Sequence, residues 1–149
     1  MAIPTTQDRV PVHTSDTVNE RIERKARERV RRLAAHPAEI QQRLRELEAE
    51  WDIERAIEAN ASALAFIGVA LGFFHHPYWL ALPALVTAFL FQHALQGWCP
   101  PVPILRRFGF RTIYEIDRER FALKAIRGDF DQVRQSDDKA AAAIEAANR

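Results

Sequence analysis

Hydrophobic and polar positions along this chain fall into three regimes. From Ala59 to Leu105 there is no Asp, Glu, Lys or Arg, although 28% of the chain is charged. Inside that stretch lie two apolar runs, Ala61–Phe74 and Tyr78–Leu95, separated by His75-His76-Pro77. A membrane-crossing helix needs about 20 mostly apolar residues, with about 17 as the lower limit. The segments Ile57–Phe74 and Tyr78–Trp98 both meet that length, and the pattern predicts a transmembrane helical hairpin over residues 57–98. Phe73, Phe74, Tyr78 and Trp79 at the turn and Trp98 at the far end sit where an interfacial aromatic belt belongs. A soluble bundle with an apolar central hairpin is the alternative, and it is disfavoured because soluble chains rarely gather so much uncharged sequence in one block.

The flanks read as helices with one apolar stripe each. Residues 1–14, punctuated by Pro4 and Pro11, predict an extended arm. Residues 15–56 predict an amphipathic helix pair. In the first, Thr17 and Glu20 have capping-box spacing, and Val18, Ile22, Ala26, Val30 and Leu33 form a narrow stripe among arginines, ending at His36-Pro37. In the second, Ile40, Leu44, Leu47 and Trp51 form a heptad-like seam. With no Gly or Pro before Gly68, this helix is expected to run unbroken into the first membrane helix. After the hairpin, residues 99–130 predict an interfacial segment and a helix. Pro100, Pro101 and Pro103 favour extended or turning backbone. Gly109 suits a helix C-cap, and Thr112 with Glu115 opens a helix that stops at Gly128. Residues 131–149 read as a flexible, Ala-rich tail, a frayed helix or disorder. The expected fold class is all-α, a membrane hairpin with amphipathic cytoplasmic helices on both sides.

Small residues on the hairpin predict close helix packing. Ala61, Ala65, Gly68 and Gly72 share one face and include a GxxxG element, and Ala84 and Ala88 offer a matching stripe on the second helix. The two stripes can meet each other or pack against a second copy. Pro83 is expected to kink the second helix without breaking it. The turn carries no fixed charge, whereas Arg55 precedes the hairpin and Arg106, Arg107 and Arg111 follow it. By the positive-inside rule both ends are cytoplasmic, and these arginines are placed to reach lipid phosphates.

Composition changes this picture little. At 149 residues, with net charge +1 and pI near 8.0, the chain is one domain-sized unit with no general attraction to nucleic acid. The mean hydropathy of −0.26 averages two apolar helices with charged flanks. The first ten residues carry no basic-then-apolar leader, so the first membrane helix is expected to direct insertion. One cysteine excludes an internal disulfide.

Three blocks carry a family resemblance: Gly97-Trp98-Cys99-Pro100, the run Arg106–Thr112, and Ala122–Phe130. Over roughly Asp52 to Phe130 the chain resembles a group of small bacterial inner-membrane proteins with a YgaP-type two-helix module. That module bears a Gly-aromatic-Cys-Pro signature after its second helix, and in some relatives it anchors a cytoplasmic rhodanese. The resemblance implies a self-associating inner-membrane hairpin. It does not imply sulfurtransferase activity, because a rhodanese needs its own cysteine in an anion-binding loop and this chain has only Cys99.

Candidate chemistry is sparse. Cys99 is the one nucleophile, with Arg106 and Arg107 near in sequence to favour its thiolate; as a free cysteine it equally suits a packing role. Gln92, His93 and Gln96 form a polar cluster in a membrane helix, costly unless paired or hydrated. His75 and His76 lie about 25 Å from His93 along the helix, so one hairpin cannot gather them on one metal. No metal or cofactor is expected. The readings are, first, a non-enzymatic membrane anchor or accessory subunit, with the bilayer, a second copy or a membrane-protein complex as partner. The second is an oligomeric conduit for a small solute or sulfur species, and the third a Cys99-based thiol, redox or persulfide relay.

Overall fold

The close approach of two apolar helices is set by what stands opposite each glycine. The computed structural model describes residues 6–148; residues 1–5 of the expected arm and Arg149 of the expected tail lie outside them. The described chain is helical throughout, without strands, and two of its helices are long and apolar enough to cross a membrane. It divides into two units, one running up to Ile22 and from Trp51 to Tyr114, the other from Glu23 to Glu50 and from Glu115 onward.

In the first unit, α1 (Thr6–Val12) precedes α2 (Asp16–Ala35), whose first turn belongs here. The hairpin is α4 (Ile53–Phe74) and α5 (Ala81–Gln96), joined through a 3₁₀ turn at Pro77–Leu80, and α6 (Pro101–Phe108) follows. α4 starts cleanly because the Asp52 carboxylate accepts the Arg55 N–H at 2.9 Å and the Arg111 carbonyl accepts the Ile53 N–H at 2.8 Å. At the turn, His76 Nδ1 accepts the Tyr78 N–H at 3.2 Å, and Pro77 opens the 3₁₀ turn. The two helices then run antiparallel. A Cβ on Gly68 would stand 2.5 Å from Pro83 Cδ, and one on Gly72 would stand 2.6 Å from Leu80 Cδ2. The GxxxG face of α4 is therefore a pair of notches filled by larger residues of α5 and the turn. Ala61 and Ala65 are half-buried, but Ala84 and Ala88 face outward. Of the two uses the sequence leaves open, small stripe against small stripe is not the one α4 and α5 adopt: once glycines supply the space, bulky side chains fill it better than alanines.

The base of the hairpin is a small core of Val10, Ile53, Ile57, Cys99 and Val102, with Leu90, Leu105 and Phe110 against it. α1 supplies Val10, so residues 6–12 are helical rather than the extended arm expected there. Pro11 lies inside α1, one residue before its end. The prolines after α5 also act otherwise than expected. Gly97, at φ 72°, ends α5 in the left-handed region, and Pro101 then occupies the first turn of α6, where no intrahelical N–H is required. Gly109, at φ 96°, closes α6 as the sequence predicts.

The second unit holds the rest of α2, a 3₁₀ turn at Pro37–Glu39, α3 (Ile40–Ala49), most of α7 (Ile113–Arg127), α8 (Asp131–Gln135) and α9 (Lys139–Asn148). Leu33, Ile40, Leu44, Leu47, Ile116 and Leu123 make its core, with Val30 against them. The seam predicted for the second helix is thus used, except that Trp51 is exposed and lies under the Arg55 guanidinium at 4.6 Å. The expected unbroken rod does not form. Glu50 is extended and Asp52 caps a new helix, which stops α3 at Ala49. α2 begins at Asp16, ahead of the Thr17/Glu20 box, whereas α7 begins directly after Thr112 as its box predicts. Residues 139–148 of the tail form a helix, in which Ala146 is buried and the Ala147 carbonyl accepts from the Lys124 ammonium at 2.8 Å.

Glu119 is the polar centre of this unit. Its side chain is fully buried, receiving Arg29 Nη2 at 2.7 Å and Arg43 Nε at 3.0 Å. Burial works against the charge of Arg43, but hydrogen bonds to Glu119 and Glu46 outweigh it and hold the guanidinium pKa above its ordinary value.

Two stability predictions follow from these contacts. Gly68→Val should cost about 1–3 kcal/mol through overpacking, whereas Ala88→Val should stay within about 0.5 kcal/mol; thermal unfolding in detergent compares them. Glu119→Ala, which strands two arginines, should cost about 3–5 kcal/mol, read from loss of helical circular dichroism on denaturation.

Candidate functional site at the hairpin base

Antiparallel packing brings the first turn of α4 beside the last turns of α5, and with it a carboxylate beside an imidazole. His93 is buried, its side chain 6% exposed, and its Nε2 lies 2.8 Å from Glu54 Oε2. The carboxylate accepts, so Nε2 carries a proton. Neither Nδ1 nor Glu54 Oε1 has a hydrogen-bond partner, although both atoms are buried. Cys99, 2% exposed, packs in the same small core as Ile53, Ile57 and Val102. It follows Gly97, whose left-handed conformation ends α5.

Beside Cys99 is an apolar pocket of about 200 Å³, bounded by Ile57, Leu64, Val86, Phe89, Leu90 and Pro101. Asn60 and Cys99 are the lining residues with a side-chain heteroatom. Among the described residues, no group of three His, Cys, Asp or Glu side chains is placed to hold a metal ion.

The predicted polar cluster is divided. His93 turns inward, while Gln92 and Gln96 meet at 3.5 Å along the outer side of α5. His75 and His76 serve the turn: His75 Nδ1 accepts the Trp79 indole N–H at 3.3 Å, and His76 caps the 3₁₀ helix. The arginines separate too. Arg55 and Arg107 are exposed, but Arg106 is 0% exposed and Arg111 is buried. Arg106 donates to Asn19 Oδ1 at 2.8 Å and to the Phe110 carbonyl at 3.1 Å. It therefore holds α2 and the end of α6 instead of reaching for lipid phosphates, and Arg111 is likewise withdrawn; the planar guanidinium suits a buried multi-bond role.

Sequence reasoning missed the partner of His93 and the closure of α5. Glu54 lies ahead of the apolar run that begins at Ile57, and nothing in the sequence singles it out; the hairpin register is what pairs it with His93. Arg9 donates to the carbonyls of Leu95 and Ala94, the latter at 3.2 Å, and His13 Nε2 meets the Gln96 carbonyl at 3.1 Å. These are the last carbonyls of α5, which no following turn can satisfy. Asn19 Nδ2 completes the network to the Pro11 carbonyl at 2.8 Å.

Glu54→Ala should leave the buried imidazole without its acceptor and cost about 1–3 kcal/mol. Glu54→Gln keeps a side-chain acceptor and should cost less, and chemical denaturation in detergent ranks the two.

No protein-family model, curated protein or solved structure matches this chain; its function is therefore read from the geometry.

Proposed function

We propose that this chain is a small integral protein of the bacterial inner membrane, non-enzymatic in its main role. It acts as a membrane anchor or accessory subunit, with α4 and α5 crossing the bilayer and both termini in the cytoplasm. The observation that carries the reading is the exposure of the hairpin. Within the two membrane-length windows only 17% and 6% of residues are buried, and Phe66, Phe73, Phe74, Leu85 and Phe91 stand outward. The core helix of a soluble protein is equally apolar but mostly covered. Each large apolar side chain left in water forgoes about 1.5–3 kcal/mol, so lipid is the environment that suits these faces. The exposed Arg55 and Arg107 flank the hairpin, and the turn has no fixed charge, which supports cytoplasmic ends.

Self-association belongs to this proposal. Because Ala84 and Ala88 are not used within the hairpin, they offer a second copy a surface of close approach.

Leu85→Arg tests the central premise. An arginine at mid-helix costs about 2.5–3.5 kcal/mol for insertion, so the variant should shift from the carbonate-washed membrane pellet toward the supernatant or be degraded. Wild-type protein should remain in the pellet and be released by detergent; wild-type protein found soluble after high-speed centrifugation would overturn the reading.

A further inference from the structure

We infer that the hairpin base holds one phospholipid with a primary-ammonium headgroup, its phosphate on Arg55, its ammonium on Glu58 and an acyl chain in the groove beside them. This lipid site rests on the proposed membrane placement of α4 and α5. The groove runs between the two helices and has a volume of about 500 Å³. Trp51, Arg55 and Glu58 stand at the end that the membrane reading puts in the cytoplasm, and Ala65, Val86 and Leu90 line its depth.

The mouth presents two opposite charges that do not close on each other. Arg55 and Glu58 are three residues apart on α4, a spacing at which such side chains ordinarily meet on a helix. Instead the Arg55 guanidinium lies over the Trp51 ring, 4.6 Å from its centre. Both residues are exposed, and among the described residues neither has an ion-pair partner. The neighbouring carboxylates are already engaged, Asp52 by the Arg55 N–H and Glu54 by His93. Stacking on the indole leaves the N–H donors of the guanidinium unspent. A carboxylate at the start of a membrane span is costly unless a cation meets it. One seat for an anion and one for a cation therefore stand side by side.

Further in, polarity ends. Ser62 and Thr87 border the groove, but their hydroxyls donate to backbone carbonyls, Ser62 to Ala59 at 3.1 Å and Thr87 to Pro83 at 2.8 Å. Charge at the mouth and hydrocarbon toward mid-bilayer repeat the order of groups in a phospholipid of the cytoplasmic leaflet. The headgroup is selected by the two charges. A phosphate accepts from Arg55, and an ammonium two carbons away donates to Glu58. A glycerol headgroup brings no cation to Glu58, and a trimethylammonium has no N–H to donate. Phosphatidylethanolamine satisfies both seats.

Delipidated full-length protein in detergent is titrated with phosphatidylethanolamine, phosphatidylcholine or phosphatidylglycerol, and bound lipid is counted by native mass spectrometry. The expected result is one adduct per chain, with phosphatidylethanolamine held about tenfold better than either other lipid, the scale of one charge-assisted hydrogen bond. Glu58→Gln should abolish that preference, and Glu58→Lys should reverse it in favour of phosphatidylglycerol, a gain that misfolding does not produce. Arg55→Gln should weaken all three lipids, and Ser62→Phe should displace them by filling the groove. Circular dichroism checks that each variant is folded. Adducts without headgroup preference, or a preference unchanged in folded Glu58→Lys, would overturn the lipid site. So would a wild-type dimer that excludes lipid and that Ser62→Phe dissociates, since a second copy would then fill the groove. Wild-type protein that stays in the carbonate-washed pellet yet shows no headgroup preference sinks this site alone, whereas soluble wild-type protein removes the membrane reading beneath it.

Discussion

The antiparallel contact between α4 and α5 is the constraint from which the first unit follows. His76 and Pro77 make the reversal, and Gly68 and Gly72 let Pro83 and Leu80 approach to distances no β-carbon would allow. Interlocking of this kind fixes the longitudinal register, because sliding one helix would drive a side chain into backbone. Register then decides which residues meet at the other end. Glu54 meets His93, and Ile53 and Ile57 join the small core that Cys99 and Val102 complete. The apolar contact near the turn thus positions the polar contact at the base.

That base gathers polar groups that would otherwise stand unpaired in an apolar setting. Arg9 and His13 close the carbonyl end of α5, and Asn19 ties α1 to Arg106, whose other bond secures the end of α6. Buried hydrogen bonds in such a setting are strong when complete and costly when broken. The second unit uses the same device in another form, with Glu119 held between Arg29 and Arg43. In both, residues that look like ordinary surface charges in the sequence are internal fasteners. The Glu54–His93 pair leaves two of its own buried atoms, Glu54 Oε1 and His93 Nδ1, without partners.

What the amino-acid sequence determined by itself is whatever depends on neighbours along the chain. The absence of charge from Ala59 to Leu105, the histidine–proline reversal, the helix stops at Gly109 and Gly128 and the start of α7 after Thr112 all follow from local backbone chemistry and side-chain periodicity, and the structure carries each of them. The stripe of Ile40, Leu44 and Leu47 is buried where its period places it. Only the tertiary structure decided the rest. Pro101 begins a helix instead of preventing one, because Gly97 has already ended the helix before it. Arg106 is buried although its neighbour Arg107 is exposed, because adjacent residues on a helix point about 100° apart and one of them meets Asn19. Ala84 and Ala88 turn away from the glycines they resemble, since the fit of unlike shapes is settled in three dimensions. Glu54 and His93, Arg9 and Leu95, and Arg29 and Glu119 are paired across 39, 86 and 90 positions of sequence. Periodicity shows which face a residue lies on; it carries no information about which distant residue will face it.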